Sequence, residues 1–353
     1  MRLEFIDRVS ADEVLGKNIL SNDGKILLRA GVKLTSRYMH KLKELGVYFV
    51  YIEDDRLDDI MIEDNKLLEL KQSTMKSMSR IMKNIYSCRS RAVKDSLNVV
   101  EDLVDYITEM GDVNASLYDI QTYDNYTYIH SLDTCIMASF LGLSHGFNNK
   151  ELKELAIGAL LHDVGKIKVS NRIITKTGPL TNEEFEEIKK HPKYGEEILS
   201  KIIRIPENSI KAVLQHHERV DGRGYPYRLK ANKISKFGKI ASICDVYDAV
   251  SNDRVYRKKF RPNEAYELIL AGSGSAFDSD IVKSFRETFA VYPLGCCVRL
   301  SNLVEGYVVK QNKNFPDRPI IRVLYDNNTK NPIPFYEINL LENQSLVIES
   351  IVS

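Results

Sequence analysis

Over residues 1 to about 52 the apolar positions fall in short runs. Asn18-Ile19-Leu20 and Ile26-Leu27-Leu28 flank Asn22-Asp23-Gly24, a turn signal that predicts a hairpin. Thr35 and Ser36 are capping residues ahead of a helical period through Leu42 and Leu45, with Gly46 as its stop. Val47 to Ile52 is β-branched and aromatic and predicts a strand. From residue 53 to about 125 there is no Pro and one Gly, Gly111, so the stretch reads as helical. Met75, Met78, Met82 and Ile85 fall on one helical face and read as a core or dimer stripe. Residues 126 to about 292 alternate helical runs with Gly/Pro-punctuated loops. From about Leu294 the period shortens: Val298–Leu300, Gly306–Lys310, Ile320–Tyr325, Phe335–Leu340 and Leu346–Val352 are short strand-like runs.

The pattern predicts a mainly α protein. A small α+β region over 1–52 is suited to regulation or assembly, or to a passive structural role. A helical linker covers 53–122, a helical domain 123–293, and a small C-terminal β domain 294–353. Within the linker, residues 53–64 hold seven acids and one Arg, and residues 71–94 hold seven bases and no acid. That segregation reads as a solvated face, with pairing between protomers the alternative. A homodimer is expected on the Met stripe.

The chain has 353 residues, with 50 Lys plus Arg against 49 Asp plus Glu. This balance argues against a nucleic-acid polymer as partner, which normally needs a basic excess. No run is long and apolar enough to predict membrane insertion. The opening MRLEFIDRVSADE has early acids and no apolar core, so no secretory signal is expected. Five scattered cysteines without CxxC spacing fit a reducing cytoplasm, and Cys296-Cys297 reads as core.

Six of the seven histidines lie between 126 and 292. His130 opens a helix through Ile136 and Phe140. His162-Asp163 closes an apolar helix. His191 precedes Pro192, which suits a helix start. His216-His217 follows the run Ile210–Leu214, and Asp245 sits on a strongly apolar helix. A charged Asp on an apolar helical face must be paired or bind a metal. Mixed imidazole and carboxylate donors suit first-row transition metals. Seven donors exceed one tetrahedral zinc, so the count predicts two metals sharing a bridging carboxylate. Such a pair, ~3.5–4 Å apart, clamps a phosphodiester and lowers the pKa of a bridging water. His145, near a helix end, is expected to be structural.

At these residues the sequence resembles the HD-GYP family of metal-dependent cyclic di-GMP phosphodiesterases, over roughly Tyr123 to Pro293. His162-Asp163-Val-Gly-Lys166 is similar to its HD-x-G-K signature, and His191-Pro192-Lys-Tyr-Gly195 to its H-P-x-x-G motif. His216-His217-Glu218…Asp221-Gly222-Arg-Gly224-Tyr225-Pro226 resembles H-H-E…D-G-x-G-Y-P. Asp245-Val-Tyr-Asp248-Ala and Asp253-Arg254-Val-Tyr256-Arg257 resemble D-V-Y-D-A…D-R-P-Y-R, with Val255 replacing the Pro.

The resemblance implies an all-helical HD core with two iron or manganese ions. The carried-over ligands are His130, His162, Asp163, His191, His216, His217 and Asp245, with Asp163 bridging. Some members hold a third metal through a Glu four residues before the first His; Tyr126 stands there, so two are expected. By resemblance Lys166 contacts the scissile phosphate, and Tyr225, Arg254 and Arg257 bind substrate. Asp248 is expected to support the site. The implied reaction opens cyclic di-GMP to pGpG, with GMP a further product, by a metal-bridging hydroxide. The GYP loop is implied in contacts with diguanylate cyclase domains. The rival readings are another cyclic dinucleotide as substrate and a non-catalytic cyclic di-GMP sensor.

Overall fold

The computed structural model describes residues 1–353 apart from 21–25, 46, 48, 61–63, 88, 112–114, 117–126, 203–204, 252–261, 328, 330 and 353. The predicted hairpin turn Asn22-Asp23-Gly24 lies outside the described residues. The chain divides into two compact units, one of 1–65, 113–124 and 287–353, the other of 66–112 and 125–286.

In the first unit β1 (Arg2–Phe5) pairs antiparallel with β4 (Phe49–Ile52), and β2 (Ile19–Leu20) with β3 (Ile26–Leu28). Thr35 caps α1 (Ser36–Glu44), its side chain accepting the Tyr38 N–H. β5 (Ala115–Ser116) and β6 (Phe289–Ala290) pair in parallel. β7 (Cys297–Leu300), β8 (Glu305–Asn312), β9 (Phe315–Tyr325), β10 (Pro332–Asn339) and β11 (Ile348–Ile351) form an antiparallel sheet in the order β10-β9-β8-β7-β11.

The two chain ends share a core, where the sequence suggested separate small domains. Leu3, Tyr51 and Leu57 pack in one cluster with Cys296, Val298, Val308, Ile321 and Leu340. The Leu3 N–H donates to the Gly295 carbonyl at 2.8 Å. Residues 6–52 also bury a cluster of their own, with Ile6, Leu15, Leu34, Leu42, Val50 and Ile52, so one face of β4 serves this cluster and the other the shared core. Residues 53–60 also depart from the helical expectation. They hold a 3₁₀ turn at Asp55–Leu57, and the next helix begins at Asn65. Part of this acidic run is neutralised within the unit: Asp54 pairs with Arg2 at 3.2 Å and Arg56 at 2.9 Å, and Asp59 with Arg322 at 2.7 Å.

The second unit is helical: α2 (Asn65–Tyr86), α3 (Ser90–Met110), α4 (Thr127–Ser144), α5 (Asn149–Leu160), α6 (Asn171–Ile174), α7 (Asn182–Ile188), α8 (His191–Leu199), α9 (Glu207–Gln215), α10 (Lys236–Ser251), α11 (Pro262–Ala271) and α12 (Ser279–Thr288). Met75, Met78, Met82 and Ile85 are buried inside it. The Met stripe is therefore core and offers no dimer face, which corrects the basis on which a homodimer was expected. The middles of α4 and α10 are apolar on nearly every side, as centrally packed helices must be. Among the described residues no helix is long and apolar enough to cross a membrane.

Glycines set the closest approaches. A Cβ on Gly158 of α5 would lie 2.7 Å from the Ala212 Cβ of α9. Backbone contact there brings the ends of α5 and α9 side by side. A Cβ on Gly165 would lie 1.9 Å from the His191 carbonyl oxygen, so only glycine lets the turn after α5 rest on the start of α8.

Candidate metal centre

Four helix ends and one helix middle converge in the helical unit. His162 and Asp163 follow α5, His191 opens α8, and His216 and His217 follow α9. His130 lies in the first turns of α4, and Asp245 in the buried middle of α10. The structure thus brings together all seven residues singled out as metal donors. His162, Asp163, His191, His216 and Asp245 are buried; His130 and His217 are partly exposed.

The histidines are oriented from behind. His162 Nδ1 bonds the Ala159 carbonyl at 2.7 Å, His191 Nδ1 the Ile188 carbonyl at 2.8 Å, and His216 Nδ1 the Val213 carbonyl at 2.7 Å. In each case the partner is three residues back, one of the open carbonyls at or near a helix end. A carbonyl only accepts, so each Nδ1 carries the proton and each Nε2 presents a bare lone pair inward. His130 achieves the same with a carboxylate: its Nδ1 lies 2.5 Å from Asp248 Oδ2.

The inward nitrogens then meet. His191 Nε2 and His216 Nε2 are 3.2 Å apart, and His130 Nε2 and His162 Nε2 are 3.1 Å apart. Two lone pairs cannot bond each other, so the His191–His216 contact is one that a shared proton or a metal ion can bridge. Asp163 stands between two groups. Its Oδ1 is 3.4 Å from His191 Nε2, while its Oδ2 is 3.5 Å from His162 Nε2 and 2.5 Å from Lys166 Nζ. Oδ1 is buried and has no hydrogen-bond partner among the described residues. Asp245 Oδ1 is 3.1 Å from His130 Nε2, and its Oδ2 is 3.7 Å from His217 Nδ1.

The donors fall into overlapping triples, His130/His162/Asp245, His162/Asp163/His216 and His191/His216/His217, each with donor atoms within 4.8 Å of one another. An orphaned buried carboxylate oxygen among inward lone pairs is what a divalent metal site requires. The residues fit the implied ions.

Electrostatics set the matching protonation states. Burial, then the neighbouring imidazoles, keeps His216 well below the ordinary histidine range. Burial pushes His217 down to about 3 and also lowers His191. Burial opposes the ionised form of Asp163, yet Lys166 and His162 hold its carboxyl well below the usual range. Asp245 is likewise held low against burial by its bond to His130. Burial opposes the charged form of His130, but Asp245 and Asp248 overcome it and raise its pKa to about 10. Ionised carboxylates and neutral imidazoles are the ligating forms; His191, His216, His217 and both aspartates are held in them, while a metal at His130 must displace the proton that Asp245 and Asp248 stabilise there.

The remaining predicted residues divide. Lys166 touches Asp163. Tyr225 lies against His217, ring centroids 4.6 Å apart and 30° between planes. Arg254, Arg257 and Tyr126 lie outside the described residues. His145 pairs with Ser284, Nδ1 to Oγ 2.9 Å, apart from the cluster. Sequence reasoning quoted Glu218 within a motif but gave it no role. It is buried, and its carboxylate accepts the N–H groups of Tyr227 at 2.7 Å and Leu229 at 2.8 Å, shaping the Gly222–Pro226 loop. A buried acid beside a Gly-rich turn is the signal that could have revealed it.

This geometry defines a helical domain whose clustered His and Asp side chains could hold metal ions. The HD domain family matches residues 65–281, and a KOW domain associated with HD domains matches 297–353. The chain belongs to the HD domain family. Similar proteins include a cyclic di-GMP phosphodiesterase of Pseudomonas aeruginosa, 34% identical over 68% of this chain and 58% of that protein. A 3′3′-cGAMP-specific phosphodiesterase of Vibrio cholerae is 27% identical over 69% of this chain and 46% of its own length. The chain spans about half the length of the curated relatives it matches. An HDG"Y"P protein from Bdellovibrio bacteriovorus shares the fold, with a TM-score of 0.53 at 17% identity over 80% of this chain and 97% of that one.

Proposed function

We propose that the chain is a metal-dependent phosphodiesterase that opens cyclic di-GMP to linear pGpG, with GMP as a further product. One observation carries the reading: the two oxygens of Asp163 face different histidine groups, and Lys166 reaches one of them. Two divalent ions, iron or manganese, would be held by His130, His162, His191, His216, His217 and Asp245, with Asp163 shared. When bound they would offset phosphate charge and supply a nucleophile at neutral pH by acidifying water. Lys166 places a cation where charge develops on the phosphate oxygens. Asp248 holds the His130 ring in register. Tyr225 offers an aromatic face beside the centre. Arg254 and Arg257 are proposed as further phosphate contacts, since Arg suits bidentate phosphate binding.

The names of the relatives support this substrate class, and the Vibrio relative favours 3′3′-cGAMP as a second candidate. Cys135, Cys244 and Cys296 form no disulfide, which supports a reducing cytoplasm as the compartment. Contact of the GYP loop with diguanylate cyclase domains is part of the same proposal.

The test is anaerobic turnover by iron- or manganese-loaded protein with cyclic di-GMP and 3′3′-cGAMP in competition. Faster release of pGpG is the expected result. Preference for cGAMP would reassign the substrate. Binding without turnover at full metal content would make the protein a sensor.

A further inference from the structure

A cavity of about 470 Å³ opens beside Tyr225, between Glu186–Lys193 and the Gly222–Arg228 loop. Its lining carries more positive charge than the neighbouring acids match. Lys189 and Lys190 are neutralised, each with Nζ 2.6 Å from a glutamate, Glu186 and Glu187 respectively. Lys193, Arg223 and Arg228 have no ion pair among the described residues. Lys193 Nζ instead lies 4.6 Å from the centre of the Tyr227 ring. Three cations without a salt bridge around one concavity repel each other and attract an anion.

The cavity wall is also built in advance. Glu218 fixes the backbone at Tyr227 and Leu229, and the Tyr225 N–H donates to the His217 carbonyl at 3.1 Å. A Cβ on Gly224 would lie 2.5 Å from that carbonyl oxygen, so the loop packs flush against the metal-centre segment. Tyr225 is shared: it lines the cavity and lies on His217. A fixed cationic wall loses little ordering entropy when an anion arrives.

We infer that this cavity receives the second phosphodiester of the dinucleotide while the first lies at the metal centre. Lys193, Arg223 and Arg228 are its substrate-binding residues. The inference rests on the cyclic-dinucleotide reading above. Such a substrate carries two phosphodiester anions. Only one can be cut at a time, and the other must rest within the width of the ring. A cationic cavity lined by Tyr225, whose ring lies on His217, is placed to take it.

The test compares cyclic di-GMP with bis(p-nitrophenyl) phosphate, which has a single phosphodiester, on the manganese-loaded full chain. Lys193→Ala and Arg223→Ala should each raise KM for cyclic di-GMP about tenfold with little change in kcat, the loss expected for one charge-assisted contact. The KM for the small diester should stay within about twofold, because it has no second anion to lose. Lys193→Arg should restore the affinity, and added salt should shrink the penalty. Equal KM changes for both substrates, a loss confined to kcat, or no change in either would overturn the inference. Wild-type protein that cleaves the small diester but neither binds nor cleaves cyclic di-GMP would overturn the substrate reading and the inference with it.

Discussion

Both units bury charge, but they settle it differently. In the first unit Arg322 is 6% exposed and its guanidinium is fully engaged, with Asp59, Glu337 and the Arg56 carbonyl as acceptors. Asp54 is held below the usual carboxylate range, against its burial, by Arg56 and Arg2. In the helical unit Asp163 is similarly buried, yet one of its oxygens has no partner and faces inward lone pairs. Paired buried ions contribute to structure, and their net stabilisation is small. Asp163 is paired with Lys166 through Oδ2, but a buried carboxylate oxygen left without a hydrogen bond has a cost that a ligand can offset. The contrast separates a structural charge network from a metal centre on geometry alone.

The largest expected effect comes from removing the shared carboxylate. Asp163→Ala should lower turnover by more than about 10³-fold and strip metal, measured as kcat alongside metal content. Retained turnover at normal metal content would contradict the assignment. Lys166→Met should cost about 10²–10³ in kcat with metal retained, since only transition-state charge is lost. Parallel loss of metal would make Lys166 a structural partner of Asp163 instead. Asp248→Asn, acting through the His130 ring, should weaken metal affinity by about 10–100-fold, read by competition with a chelator. Gly165→Ala should cost about 3 kcal/mol or more, because the new methyl meets the backbone at His191 rather than a movable side chain. Its unfolding free energy, measured in denaturant, checks this. Arg322→Met is the smallest change. Its partners Asp59 and Glu337 are exposed and regain water when the Arg is lost, so an apolar chain of similar length there should shift stability by about 1 kcal/mol or less and leave metal content untouched. A large loss there would show that the first unit depends on its charges as much as the second does.

Much of the site was legible because its residues sit at sequence punctuation. His162, His191 and His216 each lie at the edge of a helical run, and the end of a helix supplies the free carbonyl that orients the ring. Asp245 stood out as an acid in an apolar helix. The strands from Cys297 to Ile351 followed from their β-branched runs. What could not be read was long-range partnership. The Met75–Ile85 stripe announces burial but not what covers it. Leu3 and Cys296 lie at opposite ends of the chain, and nothing local says that they share a core. Asp59 looked like one acid in a solvated run until Arg322 was found beside it. Lys193, Arg223 and Arg228 look like surface charge in sequence, because their convergence depends on how the loop held by Glu218 folds back. Gly165 appeared as a motif letter; its reason is the His191 carbonyl, 26 positions on.

The central claim is that the unsatisfied donors of the helical unit form a two-ion site. The most direct measurement is an anaerobic titration of metal-free protein with manganese or iron, following bound metal and melting temperature together. The account predicts saturation at about two ions per chain with a rise in melting temperature, because ions that bind only the folded state stabilise it. Folded protein that saturates below one ion per chain, or binds metal with no gain in stability, would contradict it.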